Sequence, residues 1–145
     1  MAYVLYNITY SLVSMPSGII SDRIPRRVVM SAGYMIFAIV YLGFGIIKSS
    51  GMVWVLFPIY GVYIAMTDGV GKAFIIDMVN PERVGTALGL YHFLIGVASF
   101  LASLIAGVLW SRFGAKAPFI YGAATAVISS ILFLVLMKKG DKIAR

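Results

Sequence analysis

Apolar residues dominate the chain in five long runs, and the short stretches between them carry most of the charges. The runs lack the alternation typical of strands, and a bilayer core admits only helices or closed barrels. Each run reaches the roughly 20 residues that a membrane-crossing helix needs. The pattern therefore predicts an all-α fold, a polytopic membrane bundle of about five transmembrane helices. The predicted spans are residues 2–21, 28–47, 52–78, 84–110 and 118–137.

Composition supports a membrane location. Of the 145 residues, 61% are hydrophobic and 12% charged, and the mean hydropathy is +0.98. A soluble domain carries about 25% charged residues. A domain this short also buries only about 70% of the surface that its unfolded chain exposes. We therefore expect a multi-pass protein of the cell membrane whose surroundings are the lipid bilayer.

The net charge of +7 would suggest a nucleic-acid partner in a soluble protein. Here the basic residues lie mostly in loops, as the positive-inside rule describes, so no nucleic-acid partner is expected. One side of the membrane receives Arg23, Arg26, Arg27, Arg83, Lys138, Lys139, Lys142 and Arg145, and the other receives Lys48, Arg112 and Lys116. The richer side is predicted to be cytoplasmic, which places the N-terminus outside and the C-terminus inside. Trp54 and Trp110 then lie at outer helix ends, where interfacial aromatic residues are common.

Every asparagine, aspartate, lysine and histidine inside the membrane lies in the first, third or fourth span. This predicts three helices around a polar interior, with the uncharged second and fifth helices turned to lipid. The candidates for substrate or ion coupling are Asp68, Lys72, His92 and Asn7. Asp68 and Lys72 are one helical turn apart and can pair, either as a structural ion pair or as a coupling site. His92 is expected either to share a layer of the interior with Lys72 or to be a packing residue.

Small or polar residues recur about every four positions in three spans, a spacing that permits close helix contact. The third span has Gly61, Ala65, Gly69 and Ala73, the fourth has Ser99, Ser103 and Gly107, and the first has Asn7, Ser11, Ser14, Gly18 and Ser21. We interpret these stripes as packing surfaces, which place helices without identifying a substrate.

The sequence does not favour an enzyme. One histidine and no cysteine exclude the usual zinc sites, and no phosphate-binding glycine loop occurs. Asp68 and Asp77 are nine residues apart on opposite sides of a helix, too far for a catalytic pair. No catalytic residue, metal or cofactor is predicted.

The loop after the first span carries the most specific motif, Gly18-Ile19-Ile20-Ser21-Asp22-Arg23-Ile24-Pro25-Arg26-Arg27. It resembles the Gly-x-x-x-Asp-Arg/Lys-x-Gly-Arg-Arg/Lys signature of the major facilitator superfamily, with Pro25 where glycine is usual. In that family the signature joins the second and third helices of each six-helix half. Residues 15–18, 68–77 and 81–89 resemble the family's eighth helix end, tenth helix and eleventh helix entry.

The resemblance implies that residues 1–145 are a partial C-terminal six-helix domain, namely helices eight to twelve. The other placement, helices two to six of the N-terminal half, fits less well, because residues 84–110 lack the proline common in that half's fifth helix. A missing N-terminal half would complete the cavity, and the abrupt start at Met1 leads us to expect a partial chain or truncated gene.

The implied function is alternating-access transport of a small solute, with proton-coupled efflux as the expected mode. The alternative is a non-transporting membrane interaction or assembly module. The resemblance also implies a conformational-switch loop made of Gly18, Asp22, Arg23, Arg26, Arg27 and the more distant Asp77. Arg26 is predicted to pair with Asp77, and Asp22 to face a helix N-terminus of the missing half, where a carboxylate is favoured.

Overall fold

The computed structural model describes residues 1–47 and 49–137, and that part of the chain forms five long helices. In chain order they are α1 (Ala2–Arg23), α2 (Arg26–Ile46), α3 (Val53–Met78), α4 (Val84–Phe113) and α5 (Ala117–Met137). Short 3-10 turns at Ser50–Met52 and Pro81–Arg83 lead into α3 and α4. The predicted all-α bundle is confirmed. Lys48 and the basic tail 138–145, both used to predict the orientation, lie outside the described residues.

Helix ends follow local backbone chemistry. α1 continues past the predicted end at residue 21 to Arg23, and Ile24 is then extended with φ −118° and ψ 144°. The ring of Pro25 disfavours a helical conformation for the residue before it, so the helix stops there. α4 likewise outruns its predicted end at residue 110 and stops at Gly114, whose φ of 86° suits glycine after a helix.

The described helices α2 to α5 are each long and apolar enough to cross a membrane. α1 has 22 residues and a length of about 33 Å, sufficient to cross the hydrocarbon core. Its serines and asparagine lower its hydropathy, as expected for a helix with one polar face. The multi-pass character predicted from the sequence is therefore a property of the fold.

Four of the helices form a row in the order α1, α3, α2, α5. α1 and α3 run in the same direction, since the Tyr6 and Tyr60 rings lie 5.8 Å apart at one end and Arg26 contacts Asp77 at the other. α2 runs opposite to both of its neighbours. One core cluster joins α2 to α3 around Val70, and a second joins α2 to α5 around Ala123.

That α2 and α5 are turned to lipid stays a prediction. α2 exposes apolar side chains, among them Ile39 and Ile46, and also packs on two neighbouring helices. Its buried residues are Val29, Met30, Ser31, Gly33, Ala38, Val40 and Gly45. Ser31 Oγ donates to the Ser130 carbonyl oxygen at 3.2 Å, and Ser130 Oγ donates to the Ser31 carbonyl oxygen at 3.0 Å. An uncharged helix thus packs on two neighbours through small residues and through serine hydroxyls that donate to backbone carbonyl oxygens, so a lack of charge does not mean that lipid surrounds the helix.

α4 is the least packed helix of the described bundle. It has no buried residue, and every residue from 92 to 105 is exposed. Its contacts are few and are made with α5 and α3. A 30-residue apolar helix therefore lies along the bundle with most of its surface uncovered.

Candidate functional site

An ion pair inside the bundle joins Asp68 and Lys72 on α3. Lys72 Nζ lies 2.9 Å from Asp68 Oδ1 and donates to Oδ2 at 3.0 Å. Tyr10 of α1 donates its hydroxyl to the same Oδ2 at a longer 3.4 Å. The Lys72 and Asp68 side chains are 37% and 41% exposed, so the pair lies at the edge of an open space. The predicted pairing is confirmed, whereas a coupling role stays a prediction.

α4 reaches this cluster through Tyr91. A Cβ built at Gly71 would lie 3.0 Å from the Tyr91 hydroxyl oxygen, so the phenol touches α3 one residue before Lys72. His92 is exposed, and its ring lies 5.3 Å from that of Tyr91. Successive residues point about 100° apart around a helix, so Tyr91 rather than His92 points toward α3. Whether His92 shares a layer of the interior with Lys72 stays a prediction.

Asn7 is also placed away from the Asp68 cluster. Its side chain is exposed, and Nδ2 donates to the Tyr3 carbonyl oxygen at 2.8 Å within α1. The structure thus brings together Asp68 and Lys72 of the four predicted coupling residues, and it adds Tyr10 and Tyr91.

Both tyrosines were missed because tyrosine was counted as apolar. The signal was present in α1, where the rings of Tyr3, Tyr6 and Tyr10 stack along one face with centroids 5.3 and 6.5 Å apart. Tyrosine combines an apolar ring with a hydroxyl that requires a partner when buried, so a tyrosine face inside a span indicates polar contacts.

Arg26 organises the end of the bundle where α1 meets α2. Its Nε lies 3.1 Å from Asp77 Oδ2, and its Nη2 lies 3.8 Å from Asp22 Oδ1. The Arg26 side chain is 20% exposed, against 57% for Asp77. The predicted Arg26–Asp77 pairing is confirmed, and it ties the loop after α1 to the end of α3.

Three other residues of the predicted switch loop lie around this contact. Gly18 lies one turn before Asp22, Arg23 ends α1, and Arg27 lies in the first turn of α2. Nη1 of Arg26 is buried and has no hydrogen-bond acceptor among the described residues. A function of this group in conformational switching stays a prediction.

An open cleft of about 250 Å³ lies between α1 and α3. It is lined on the α1 side by Tyr10, Ser14, Gly18, Ser21 and Asp22. The α3 side consists of small or apolar residues, among them Ala65 and Gly69. Within the described residues, no three histidine or acidic side chains lie close enough to hold a metal ion.

Comparison with known proteins agrees with this architecture. The family model described as Major Facilitator Superfamily matches residues 1–144. An uncharacterized MFS-type transporter of Methanocaldococcus jannaschii is 41% identical over 134 residues, covering 92% of this chain and 33% of that protein. Multidrug resistance protein 1 of Bacillus subtilis is 26% identical over 137 residues, covering 94% of this chain and 35% of that protein.

The chain thus spans about a third of the length of these curated relatives. No solved structure matches it.

Proposed function

The chain belongs to the Major Facilitator Superfamily, and from this we propose that it forms part of an alternating-access secondary transporter for a small solute. In this proposal its helices are the eighth to twelfth of a twelve-helix protein, and transport is coupled to protons in the direction of efflux. The observation that carries the proposal is the Asp68–Lys72 pair, held inside a span and contacted by Tyr10.

The depth of Asp68 supports a coupling role. It lies fifteen residues after Val53 and ten before Met78, about 22 Å and 15 Å along α3. A charge at such a depth costs about 2.5–3.5 kcal/mol unless it is paired or hydrated. If a movement of α3 separates Asp68 from Lys72, a proton on the carboxyl removes the unpaired negative charge. Proton binding and helix movement would then depend on each other.

The Arg26 contacts support a switching role at one end of the bundle. Arg26 holds Asp77 at 3.1 Å and also faces Asp22, so it links α1, α2 and α3 at one point. In the proposed orientation this end is cytoplasmic, with the start of α1 outside. A movement that opens the transporter at this end has to break or rearrange the Arg26 contacts.

The exposure of α4 supports a partner within the membrane. Residues 92–105 are uncovered in the described bundle, although Gly96, Ser99 and Ser103 suit close helix contact. We propose that an N-terminal half, together with a helix preceding α1, covers this surface and completes the substrate cavity. The chain alone is then expected to show no saturable flux in liposomes.

The experiment uses a chimera in which the present residues replace the matching third of the Methanocaldococcus relative. The name of the Bacillus relative suggests drugs and dyes as a first panel, with ethidium as the fluorescent tracer. Asp68→Asn is expected to abolish transport driven by a proton gradient while it largely preserves counterflow exchange. Glu82→Gln, a matched change in the exposed turn before α4, is expected to alter neither rate.

A static ion pair gives a different result. Gradient-driven transport would survive Asp68→Asn, whereas Lys72→Met would lower the melting temperature of the protein. That combination would make the pair structural and remove the coupling role.

A further inference from the structure

Protonation of Asp68 would leave Lys72 as a positive charge inside the span without its negative partner. In the structure Lys72 Nζ lies 2.9 Å from Asp68 Oδ1 and donates to Oδ2 at 3.0 Å, so both contacts go to one carboxylate. A charge at such a depth is costly unless it is paired or hydrated. A second hydrogen-bond acceptor within reach of Lys72 would lower that cost whenever Asp68 is neutral.

The Tyr91 hydroxyl is the polar group that α4 brings to this part of α3. A Cβ at Gly71 would lie 3.0 Å from the hydroxyl oxygen and 4.0 Å from the ring carbon Cζ, so the oxygen points at the helix. Gly71 is buried and has no side chain that would hold the oxygen away. The glycine therefore admits the Tyr91 oxygen to the surface of α3, one residue before Lys72.

The same tyrosine marks where α4 leaves the bundle. At the start of α4, Val84, Ala87, Leu88 and Tyr91 are half-buried, whereas every residue from 92 to 105 is exposed. Tyr91 is thus the last residue of the first contact that α4 makes. What its hydroxyl binds affects how α4 is held beside the Asp68–Lys72 pair.

Lys72 is close enough to reach the Tyr91 oxygen. That oxygen lies at most about 4.5 Å from the Gly71 Cα, since a Cα–Cβ bond of about 1.5 Å precedes the 3.0 Å gap. Neighbouring Cα atoms are about 3.8 Å apart, so the oxygen is within about 8.3 Å of the Lys72 Cα. An extended lysine carries Nζ about 6 Å from its Cα, and a hydrogen bond adds about 2.9 Å. The distance therefore permits a hydrogen bond after rotation of the lysine side chain alone.

The hydrogen-bonding capacities of the two groups are complementary. An ammonium has three N–H donors, and the two carboxylate oxygens of Asp68 take at most two of them. At least one N–H of Lys72 thus points elsewhere. The phenol oxygen of Tyr91 has lone pairs with which it can accept a hydrogen bond even while its own O–H donates.

We propose that Lys72 exchanges partners between two helices: it pairs with Asp68 of α3 when that carboxyl is ionised, and it donates to the Tyr91 hydroxyl of α4 when the carboxyl carries a proton. The inference rests on the proposed function, in which Asp68 exchanges a proton. The proton comes from water and forms an O–H bond on a carboxyl oxygen. The ion pair gains one positive charge, and no covalent bond of Lys72 or Tyr91 changes. Tyr91 is a positioning residue that makes the attachment of α4 depend on the protonation of Asp68.

The contact itself is tested first, with Asp68 unchanged. Unfolding of the 145-residue chain by denaturing detergent in mixed micelles gives its unfolding equilibrium constant. The Gly71→Ala change is expected to favour folding at least about threefold more in a Tyr91→Phe background than in the parent, because removal of the hydroxyl makes room for the methyl group. Equal effects in the two backgrounds would show that the hydroxyl does not lie at Gly71, and the proposal would be wrong.

The exchange of partners is tested with Asp68→Asn, which imitates the neutral carboxyl. With Asp68 intact, Tyr91→Phe is expected to raise the unfolding equilibrium constant less than about twofold, since the carboxylate holds Lys72. In the Asp68→Asn background the same change is expected to raise it at least about fivefold, because a hydrogen bond to a charged group is lost. Tyr121→Phe on the exposed side of α5 is the matched control and should stay below about twofold in both backgrounds. Equal costs of Tyr91→Phe in the two backgrounds would refute the exchange.

A third background identifies the donor. When Lys72→Met accompanies Asp68→Asn, the cost of Tyr91→Phe is expected to fall back below about twofold, because no ammonium remains to donate. A cost that persists without the lysine would mean that the hydroxyl binds another group, and the exchange would be wrong.

These measurements need no transport, so failure here and failure of the proposed function are distinguishable. If the cost of Tyr91→Phe does not depend on Asp68 while Asp68→Asn abolishes gradient-driven transport in the chimera, the coupling role stands and the exchange falls. If gradient-driven transport survives Asp68→Asn, the coupling role falls, and the exchange falls with it as a step of transport.

Discussion

Two helices, α3 and α4, carry small residues at the same four-residue spacing, but only the α3 residues pack against another helix. On α3, Gly61 meets the Tyr6 carbonyl oxygen and Ala65 is buried, so the first half of this stripe is a helix–helix contact. On α4, Ser99 and Ser103 are exposed, and a Cβ at Gly107 would meet no atom within 4 Å. The spacing reports that a helix can be approached closely. It does not report which segment approaches it.

The difference is physically consistent with a membrane. Lipid chains are as apolar as leucine, so no hydrophobic force drives α4 onto the bundle, and packing and hydrogen bonds decide which helices associate. α3 makes such contacts with α1 and α2, whereas α4 makes few contacts, with α3 and α5. An uncovered small-residue stripe therefore identifies the surface that another segment is expected to use.

The largest effect is expected at the tightest point of the α3 stripe. Gly61→Ala places a methyl group 2.7 Å from the Tyr6 carbonyl oxygen, which forces α1 away and costs about 1–3 kcal/mol of unfolding free energy. Gly69→Ala, in open space on the same stripe, is the matched control and is expected to be neutral or slightly stabilising. Unfolding by denaturing detergent in mixed micelles measures both.

Equal effects of the two alanines would contradict this ranking. It would mean that the stripe responds to helix propensity alone and that the α1–α3 contact is not centred on Gly61.

A smaller effect is expected where buried serines do make contacts. Ser31→Ala and Ser130→Ala each remove one of the two reciprocal hydrogen bonds between α2 and α5. Interhelical hydrogen bonds in membranes contribute about 0.6–1.7 kcal/mol, so each change is expected to fall in that range. Ser111→Ala, whose exposed hydroxyl donates to Val108 within α4, is the control and should have no measurable effect. A cost at Ser111 equal to that at Ser31 would show that burial between helices does not matter.

The smallest effect is expected on α4, and it tests most directly whether the two stripes differ. Ser103→Leu on the uncovered surface of α4 is expected to change the unfolding free energy of the 145-residue chain by less than about 0.5 kcal/mol. In the chimera the same change should lower the melting temperature and the transport rate, because the N-terminal half is proposed to cover this surface. An effect in the short chain as large as in the chimera would place the partner of α4 within this chain.

The helices themselves were predictable, because each apolar run is long and ends at charges, proline or glycine. Arg26 and Asp77 were paired correctly from the loop motif. The position of α2 was not predictable from charge, since its contacts depend on glycine and on hydroxyls that bond to backbone carbonyls of α5. Hydropathy does not distinguish an apolar surface that packs on protein from one that packs on lipid.

The site was predicted in part for a related reason. Asp68 and Lys72 are one turn apart on a single helix, so their pairing follows from helical geometry alone. Tyr10, Tyr91 and the exposure of His92 depend on the rotation of α1 and α4 relative to α3. That rotation is set by contacts such as the one at Gly61, and no spacing within a single helix determines it.

The reciprocal bonds between Ser31 and Ser130 also constrain the order in which the bundle assembles. These residues are 99 positions apart in the chain, whereas α1, α2 and α3 are neighbours in sequence as well as in space. During synthesis the first three helices can associate as soon as they enter the membrane, but α2 keeps one side open until α5 follows. Until α5 arrives, the Ser31 hydroxyl lacks its acceptor on α5 and that side of α2 is uncovered. α5, the last of the five helices to be synthesised, therefore completes the burial of α2.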